Sequence, residues 1–456
     1  MNIIILAAGM GKRMHSSLPK VLHPIAQKPM LHHVVDTVSK LNPQKLIIVI
    51  GHEAEQIKQS FEQEKYKDIP IIWAYQKEQL GTGHAVMQGL PFVDDNYPTL
   101  VLYGDVPLIS LHTLENLIQN TKNNVGILTA FYDNPVGYGR IIKYNDKVTQ
   151  IIEEKDASAE QKQINEINTG IMCLPTPFLH TYLPNLNNNN AQGEYYLTDA
   201  ILCAVENNLE IICTHPCLGN WETFGVNNKK QLCELERLYQ QSLANQLLEQ
   251  GVTIIDAARI DIRGSLSVEQ DVTIDVGCVF EGEVHLAQGV HIKPYCVINN
   301  SYIGQHSVIE SFSHIEQSYI QSNGHIGPYA RLRPHTKLAD NVKIGNFVEL
   351  KNVNVDDNSK VNHLSYIGDA AVGKNVNIGA GVITCNYDGA NKYQTVVHDN
   401  AFIGSDCQLI APVTIGENAT IGAGTTLTKD APAQELTLSR AKQISIKGWK
   451  RPQKQK

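Results

Sequence analysis

IGSDCQLIAPVTIGENATIGAGTTL, residues 403–427, repeats one six-residue theme without interruption. Ile403, Leu409, Ile415, Ile421 and Leu427 fall six apart, each preceded at minus two by a small or β-branched residue: Ala401, Cys407, Val413, Ala419 and Thr425. Gly404, Gly416 and Gly422 follow three of these aliphatics. A hexapeptide period predicts a parallel β-helix, in which each short strand stacks on the coil below. The aliphatic and its smaller neighbour are expected to point inward, and the turn residue to take a conformation that suits glycine.

The period extends far upstream. Ile262, Val268, Ile274, Phe280, Leu286, Ile292 and Ile298 are also six apart, with Ile260, Leu266, Val272, Cys278, Val284, Val290 and Cys296 at minus two. The phase slips after Asn300 and resumes at Ile303, Ile309 and Ile315, then again from Ile326 through Leu332, Leu338 and Ile344 to Leu350. So many matches with a consistent apolar partner assign the second half of the chain to this architecture.

With 456 residues the chain is too long for one core, and two domains are expected. A net charge of -8 argues against a general nucleic-acid or anionic-membrane binder, although local Lys and Arg can still hold phosphates. No apolar run approaches 18 residues, so no membrane span is expected. At the N-terminus the basic residues Lys12 and Arg13 follow the apolar stretch, the reverse of a secretory signal. The nine cysteines are odd in number, scattered and without CxxC spacing, which reads as reduced thiols of a cytoplasmic protein.

The first half has a different texture. Asn2–Leu6, Leu46–Ile50 and Leu100–Tyr103 read as strands, each ending near glycine, with helices over Met30–Leu41 and Glu53–Glu64 between them. That alternation predicts a mostly parallel, Rossmann-like α/β sheet, with ligands beyond the carboxyl ends of its strands. Asn187–Asn190 reads as a surface loop, and 229–250 as a linker helix ended by Gly251. The expected organisation is therefore 1–228 as the α/β domain, 229–250 as linker and 251–456 as the β-helix with a basic tail. That tail, with Lys442, Lys447, Lys450, Arg451, Lys454 and Lys456, reads either as a frayed terminus or as a segment beside an anionic ligand.

Leu6-Ala7-Ala8-Gly9-Met10-Gly11-Lys12-Arg13 directly follows the first strand and matches neither a Walker motif nor GxGxxG. Its small residues would let backbone N–H groups approach a phosphate, and Arg13 would add charge; the plain alternative is a tight β-α turn. Gln76, Gln79, Gly81 and Thr82 offer amides and open backbone to a nucleobase. Tyr103-Gly104-Asp105 ends a strand with a carboxylate, which either forms a turn or, with Asn227, supplies hard oxygens to Mg²⁺.

LAAGMGKRM, LPKVLHP, EQLGTGHA, YGD, GYGRI, EINTGI and NAQGEYYLTD resemble the sugar-1-phosphate nucleotidyltransferases. Together with the hexapeptide half, the chain over essentially 1–450 resembles the bacterial bifunctional N-acetylglucosamine-1-phosphate uridylyltransferase / glucosamine-1-phosphate N-acetyltransferases. The resemblance implies that Leu6–Gly9, Lys20, Gln76, Gly81 and Thr82 hold UTP. It also implies that Tyr103, Gly139, Glu153, Asn168 and Asn227 hold the sugar phosphate and neighbouring groups, with Glu153 chosen over Glu154 by alignment. Asp105 and Asn227 would ligate Mg²⁺. The nucleophile, a sugar phosphate, is already anionic, so this chemistry needs alignment and charge neutralisation more than a general base.

A β-helix wall is normally bland, so polar departures from its period are informative. Arg331, Arg333, Lys351, Asn362, His363, Tyr366 and Asn377 form one such cluster, and the polar segment 385–400, with Asn386 and Tyr387, reads as a loop thrown out from a corner. Among seventeen histidines most are ordinary surface or turn residues, yet His363 stands where an imidazole could accept the proton of an attacking amine. Arg333 and Lys351 could hold a phosphate. The resemblance implies that His363 is the proton acceptor and that Arg333, Lys351, Tyr366 and Asn377 bind glucosamine 1-phosphate. It implies acetyl-CoA contacts from Ala380, Asn386, Tyr387, Ser405, Ala423 and Arg440. It further implies a left-handed β-helix, a homotrimer, and acetyltransfer sites between subunits.

The expected protein is thus a cytoplasmic enzyme that acetylates glucosamine 1-phosphate from acetyl-CoA, then couples N-acetylglucosamine 1-phosphate to UTP. By the resemblance the product feeds peptidoglycan and lipopolysaccharide synthesis. Two alternatives are a nucleotidyltransferase whose β-helix only assembles it, and a non-enzymatic scaffold. His363 with its cations disfavours the first; LAAGMGKRM, YGD and Asn227 disfavour the second.

Overall fold

The computed structural model describes residues 1–51, 53–62, 66, 69–452 and 454. Glu64, at the expected end of the second helix, and Lys456 in the tail lie outside the described residues. Contacts divide the chain into two compact units, Met1–Tyr239 and Gln240–Lys456. The helix Lys229–Glu249 contains the division.

Unit one is built on a sheet whose main path runs Ile211–Thr214, Val125–Phe131, Glu166–Leu174, Thr99–Tyr103, Asn2–Leu6, Leu46–Ile50 and Ile71–Tyr75. Along this path only Glu166–Leu174 runs against its neighbours. Asn2–Leu6 and Leu46–Ile50 are nearly all aliphatic and buried along their length because helices cover both faces. Ile3 and Ile5 face a core with Leu31, Val34 and Leu117, whereas Ile4 and Leu6 face one with Val86, Leu179 and Ile201. This alternation is the period-two pleat of a strand. The expected helices are present but shorter, at Met30–Ser39 and Ala54–Gln59.

Unit two is a parallel β-helix. Ile274 pairs with Ile292, Ile292 with Ile309 and Ile309 with Ile326, all in parallel, so one coil takes 17 or 18 residues. Three hexapeptides make a full coil, and the phase slips in the sequence are coils one residue short. The inward column is dry: Ile403, Leu409, Ile415 and Ile421 are fully buried, as are Cys278, Cys296 and Cys407. Each aliphatic so stacked contributes on the order of 1.5–3 kcal/mol.

Two expectations need correction. Gly404, Gly416 and Gly422 do not occupy left-handed backbone; positive φ falls further on, at Asp406 (57°), Asn418 (57°) and Gly424 (72°). Those first glycines are required instead by close approach between coils, since a Cβ on Gly404 or Gly416 would lie 2.5 Å from the backbone nitrogen of Ala423 or Ala433. Leu266 and Val268, expected inward, are only half-buried because their strand pairs with a coil on one side alone. The open end of the stack at Ile262 is closed by Gln240, whose amide donates to Ile262 O (2.9 Å) and accepts from Ile262 N (2.7 Å). Capping the edge this way satisfies backbone groups that would otherwise template another strand.

Candidate active sites

In unit one the glycine-rich and acidic turns gather at the carboxyl ends of the parallel strands. They surround a cleft of about 270 Å³ lined by Leu6, Ala7, Ala8, Gly9, Lys20, Gln76, Gly81, Thr82, Tyr103 and Asp105. Gln79 lines it too, and its amide donates to Ala8 O (2.6 Å), bracing the small-residue turn. Arg13, expected at the phosphate, lies on an exposed 3₁₀ turn outside this lining; Lys20 is the cation that faces the cleft.

Asp105 and Asn227 are far apart in sequence but meet on one group. The Lys20 ammonium pairs with the Asp105 carboxylate and lies 3.3 Å from Asn227 Oδ1. Val226 N donates to Asp105 O (2.9 Å), which holds the Asn227 segment in place. A carboxylate and an amide oxygen that share one cation are suitable donors for a hard divalent ion completed by substrate phosphates. Among the described residues no group of three or more His, Cys, Asp or Glu is placed to cage a metal.

The segment 194–197, which sequence reading used only as a motif, clamps the cleft. Tyr195 N donates to Leu80 O (2.7 Å), Gly83 N to Tyr195 O (2.8 Å) and Leu197 N to Thr82 Oγ1 (3.0 Å). Gly81 takes φ +109°, and a Cβ there would lie 2.6 Å from Tyr195 O. Beyond Tyr103 lies a second group. Gly139 pairs with Asn168, and Asn168 Oδ1 accepts from Gly170 N (3.0 Å) at an irregularity in the strand. Gly170, at φ +85°, leaves room for the Tyr103 ring, which a Cβ would approach to 2.5 Å. Burial pushes the Tyr103 phenol well above its ordinary value, with the charges of Glu153 and Asp105 adding.

The two adjacent glutamates have different partners. Glu154 pairs with the buried Arg140 at 2.7 Å. Glu153 turns towards Gly139 and accepts from Thr198 Oγ1 (2.9 Å). Burial raises its carboxyl above the usual range, a shift that the Thr198 bond opposes. Gly104 is also fixed by packing, as a Cβ would come within 3.1–3.4 Å of Leu31, Val21 and Ala7.

In unit two the polar departures collect around a corner of the β-helix. Arg333 N donates to Leu350 O, which places Arg333 and Lys351 on successive coils. Tyr366 pairs in register with Glu349, the partner of Arg333 at 2.8 Å. Lys392, from the 385–400 loop, faces Lys351 and pushes its amine below the ordinary value, helped by burial. Three cations therefore converge, a clustering that an anion would relieve. Lys392 was missed in the sequence because only the fold returns that loop to this corner. The loop itself arises from a long coil, with Ile378 pairing to Ile403 rather than to a residue 17 or 18 further on. Asn386 bonds to Asp369, which lies 3.9 Å from Lys351.

His363 is exposed on the strand before the same corner, with Leu364 at φ +52° and Tyr366 following it. Its Nδ1 lies 3.1 Å from Asn346 Oδ1, the residue in register one coil below. An amide oxygen there favours hydrogen on Nδ1 and leaves Nε2 with a free lone pair. Above His363 runs one edge of the prism: Gly381 N donates to His363 O (3.2 Å), Asp406 N to Ala380 O (2.7 Å) and Gly424 N to Ser405 O (2.9 Å). Ala423 meets Gly404 and Arg440 meets Gly424 on the same edge. Ala380, Ser405, Ala423 and Arg440 thus form a ladder that starts at His363. Tyr387 is exposed on the loop. Asn377 is not brought to the cation corner; it pairs with Lys360 and Phe402, at the far end of the strand face that carries His363.

Comparison with known proteins follows the same division. A model of the MobA-like NTP transferase domain matches residues 3–250, one of the GMPPB C-terminal domain matches 262–348, and one of the bacterial transferase hexapeptide (six repeats) matches 394–429. The bifunctional protein GlmU of Janthinobacterium sp. (strain Marseille) is 56% identical over 100% of this chain and 99% of its own. That of Ralstonia nicotianae is 55% identical over 100% of this chain and 99% of its own, and that of Nitrosospira multiformis 55% over 100% and 98%. Among solved structures, a UDP-glucose pyrophosphorylase complexed with UDP-glucose is similar over 53% of this chain and 98% of its own, at 18% identity and TM-score 0.45, too slight a likeness to add to these relationships.

Proposed function

Because the chain belongs to the GlmU family of bifunctional proteins, we infer that it catalyses two consecutive transfers. Glucosamine 1-phosphate is acetylated by acetyl-CoA in the β-helix, and the N-acetylglucosamine 1-phosphate formed reacts with UTP in the α/β unit. The products are UDP-N-acetylglucosamine and pyrophosphate. We assign 1–228 to uridylyl transfer, 229–250 to a linking helix and 251–456 to acetyl transfer.

For acetyl transfer, His363 Nε2 takes the proton that the amine loses as it attacks the thioester carbonyl and CoA leaves as its thiol, and Asn346 holds the neutral ring in the tautomer with its lone pair on Nε2. Arg333, Lys351, Lys392, Tyr366 and Asn377 hold the sugar phosphate. Acetyl-CoA lies along Ala380, Ser405, Ala423 and Arg440, flanked by Asn386 and Tyr387, so that its thioester reaches His363. The observation that carries this reading is the single edge joining those four residues to the imidazole. Asn377, remote from the cation corner within one chain, is accounted for if a homotrimer brings a second subunit's face to the site.

For uridylyl transfer, the sugar phosphate attacks the α-phosphorus of UTP and pyrophosphate leaves in line. Leu6–Gly9, Gln76, Gly81 and Thr82 orient the nucleotide, and Lys20 supplies positive charge to its phosphates. Tyr103, Gly139, Glu153 and Asn168 position the sugar. Asp105 and Asn227 would hold Mg²⁺, which when bound neutralises phosphate charge and favours departure of pyrophosphate. No helix among the described residues is long and apolar enough to cross a membrane, which fits the proposed cytoplasmic site of action.

The direct test is to incubate the purified protein with glucosamine 1-phosphate, acetyl-CoA, UTP and Mg²⁺. Formation of UDP-N-acetylglucosamine that requires all four is expected. Release of pyrophosphate without free CoA thiol, when N-acetylglucosamine 1-phosphate is supplied instead, is the control for the second step. Absence of any thiol release from the full mixture would overturn the two-reaction reading.

A further inference from the structure

We propose that Lys20 makes metal loading depend on the nucleotide: its ammonium holds the place between Asp105 and Asn227 that a divalent ion would take, and yields it when phosphates arrive. Two needs compete for this one group. The ammonium pairs with the Asp105 carboxylate and lies 3.3 Å from Asn227 Oδ1. It also stands at the small-residue turn, since a Cβ on Gly9 would lie 4.0 Å from both Lys20 Cε and Lys20 Nζ, and one on Gly11 would lie 2.7 Å from Lys20 Cβ. The stem thus crosses the turn assigned to the nucleotide, and the charged end rests on the metal donors.

The backbone on either side is anchored without that ammonium. Gly104 N donates to Leu6 O (2.9 Å), Val226 N to Asp105 O (2.9 Å) and Asn227 N to Gln231 Oε1 (2.8 Å). Among the described residues no other side chain donates to the Asp105 carboxylate or to Asn227 Oδ1. Removing the ammonium therefore frees oxygens that are already in place. A divalent ion brought to those oxygens would meet the ammonium at contact distance. The Lys20 and Asp105 side chains are only 12% and 18% exposed, so water screens that repulsion poorly. A lysine ammonium is a compact charge with three donors on a flexible stem, so it can turn from a carboxylate to phosphate oxygens without backbone movement. Once turned, it no longer opposes an ion held jointly by the two protein oxygens and the phosphates.

This inference rests on the uridylyltransferase reading, and the test separates the two. Mn²⁺ binding without nucleotide is followed by electron paramagnetic resonance on full-length wild type, Lys20→Met and the double variant Lys20→Met, Asp105→Asn. Methionine keeps an apolar stem over the turn and removes the charge. Lys20→Met is expected to bind Mn²⁺ about tenfold more tightly than wild type, the scale of one charge-assisted contact lifted from the donors. The double variant is expected to lose that gain, which places the ion at Asp105. UTP binding with EDTA present, read by calorimetry, should move the other way and weaken about tenfold in Lys20→Met. Unchanged Mn²⁺ affinity in Lys20→Met, a gain that survives Asp105→Asn, or unchanged UTP affinity would overturn the exchange. Failure of wild type to bind UTP at all would instead overturn the parent reading, whatever the Mn²⁺ result.

Discussion

Single residues carry the most legible chemistry and also the largest gaps. Asp105 and Asn227 could be singled out from strand ends and motif matches, but only the fold brings them to a common Lys20. Lys392 and Asn346 could not be found in the same way. Asn346 owes its place to register between coils and Lys392 to the return of the 385–400 loop, and neither sits in a pattern of its own. Glu153 shows how environment separates two neighbours of identical chemistry: Arg140 engages Glu154, whereas burial raises the Glu153 carboxyl. A carboxyl whose folded value lies above its unfolded one binds protons more tightly when folded. Its stability contribution is therefore greatest below the unfolded value, about 4.3, and is lost as pH rises through the raised folded value. Glu153→Gln should melt at a higher temperature than wild type at neutral pH, with the gap closing on acidification below the ordinary carboxylate range. A lower melting temperature at every pH would contradict the burial account. The same variant should raise KM for N-acetylglucosamine 1-phosphate about tenfold, the loss expected for one charged hydrogen bond.

At the scale of elements, the six-residue period made the β-helix readable because every coil repeats the same inward pair. It did not reveal why particular glycines recur. Gly404 and Gly416 are explained by contact between coils, a distance that no single strand encodes. Strand–turn signals likewise marked the small-residue turn after Leu6, whereas the 194–197 clamp depends on pairing between remote segments. Gly81 combines both constraints, with φ +109° and Tyr195 O only 2.6 Å from where a methyl carbon would sit. Gly81→Ala should cost unit one about 1–3 kcal/mol, because left-handed backbone and the close carbonyl both oppose the methyl group. Its KM for UTP should rise about tenfold as the hydrogen bonds at Leu80 and Gly83 are strained, while the acetyltransfer rate stays at the wild-type level. Equal loss of both activities would show that the clamp serves overall folding rather than the cleft.

Across the whole molecule, two architectures with separate cores lie in one chain: a sheet covered by helices and a stack of coils. Unit one has a core on each face of its sheet and unit two a single inward stack, so chain length called for two domains but periodicity was needed to say what each half is. The α/β unit presents acceptors, small residues and a shared cation to a nucleotide. The β-helix presents an imidazole at the foot of one edge and three cations around the corner. The central claim is that these are independent catalytic centres. The most direct measurement is to follow CoA thiol release from glucosamine 1-phosphate and pyrophosphate release from N-acetylglucosamine 1-phosphate with UTP, in parallel, on one preparation of His363→Ala. Loss of a general base predicts thiol release reduced by about 10²–10⁴-fold, with pyrophosphate release at the wild-type rate. Thiol release at the wild-type rate, or equal loss of both in a folded protein, would contradict the account.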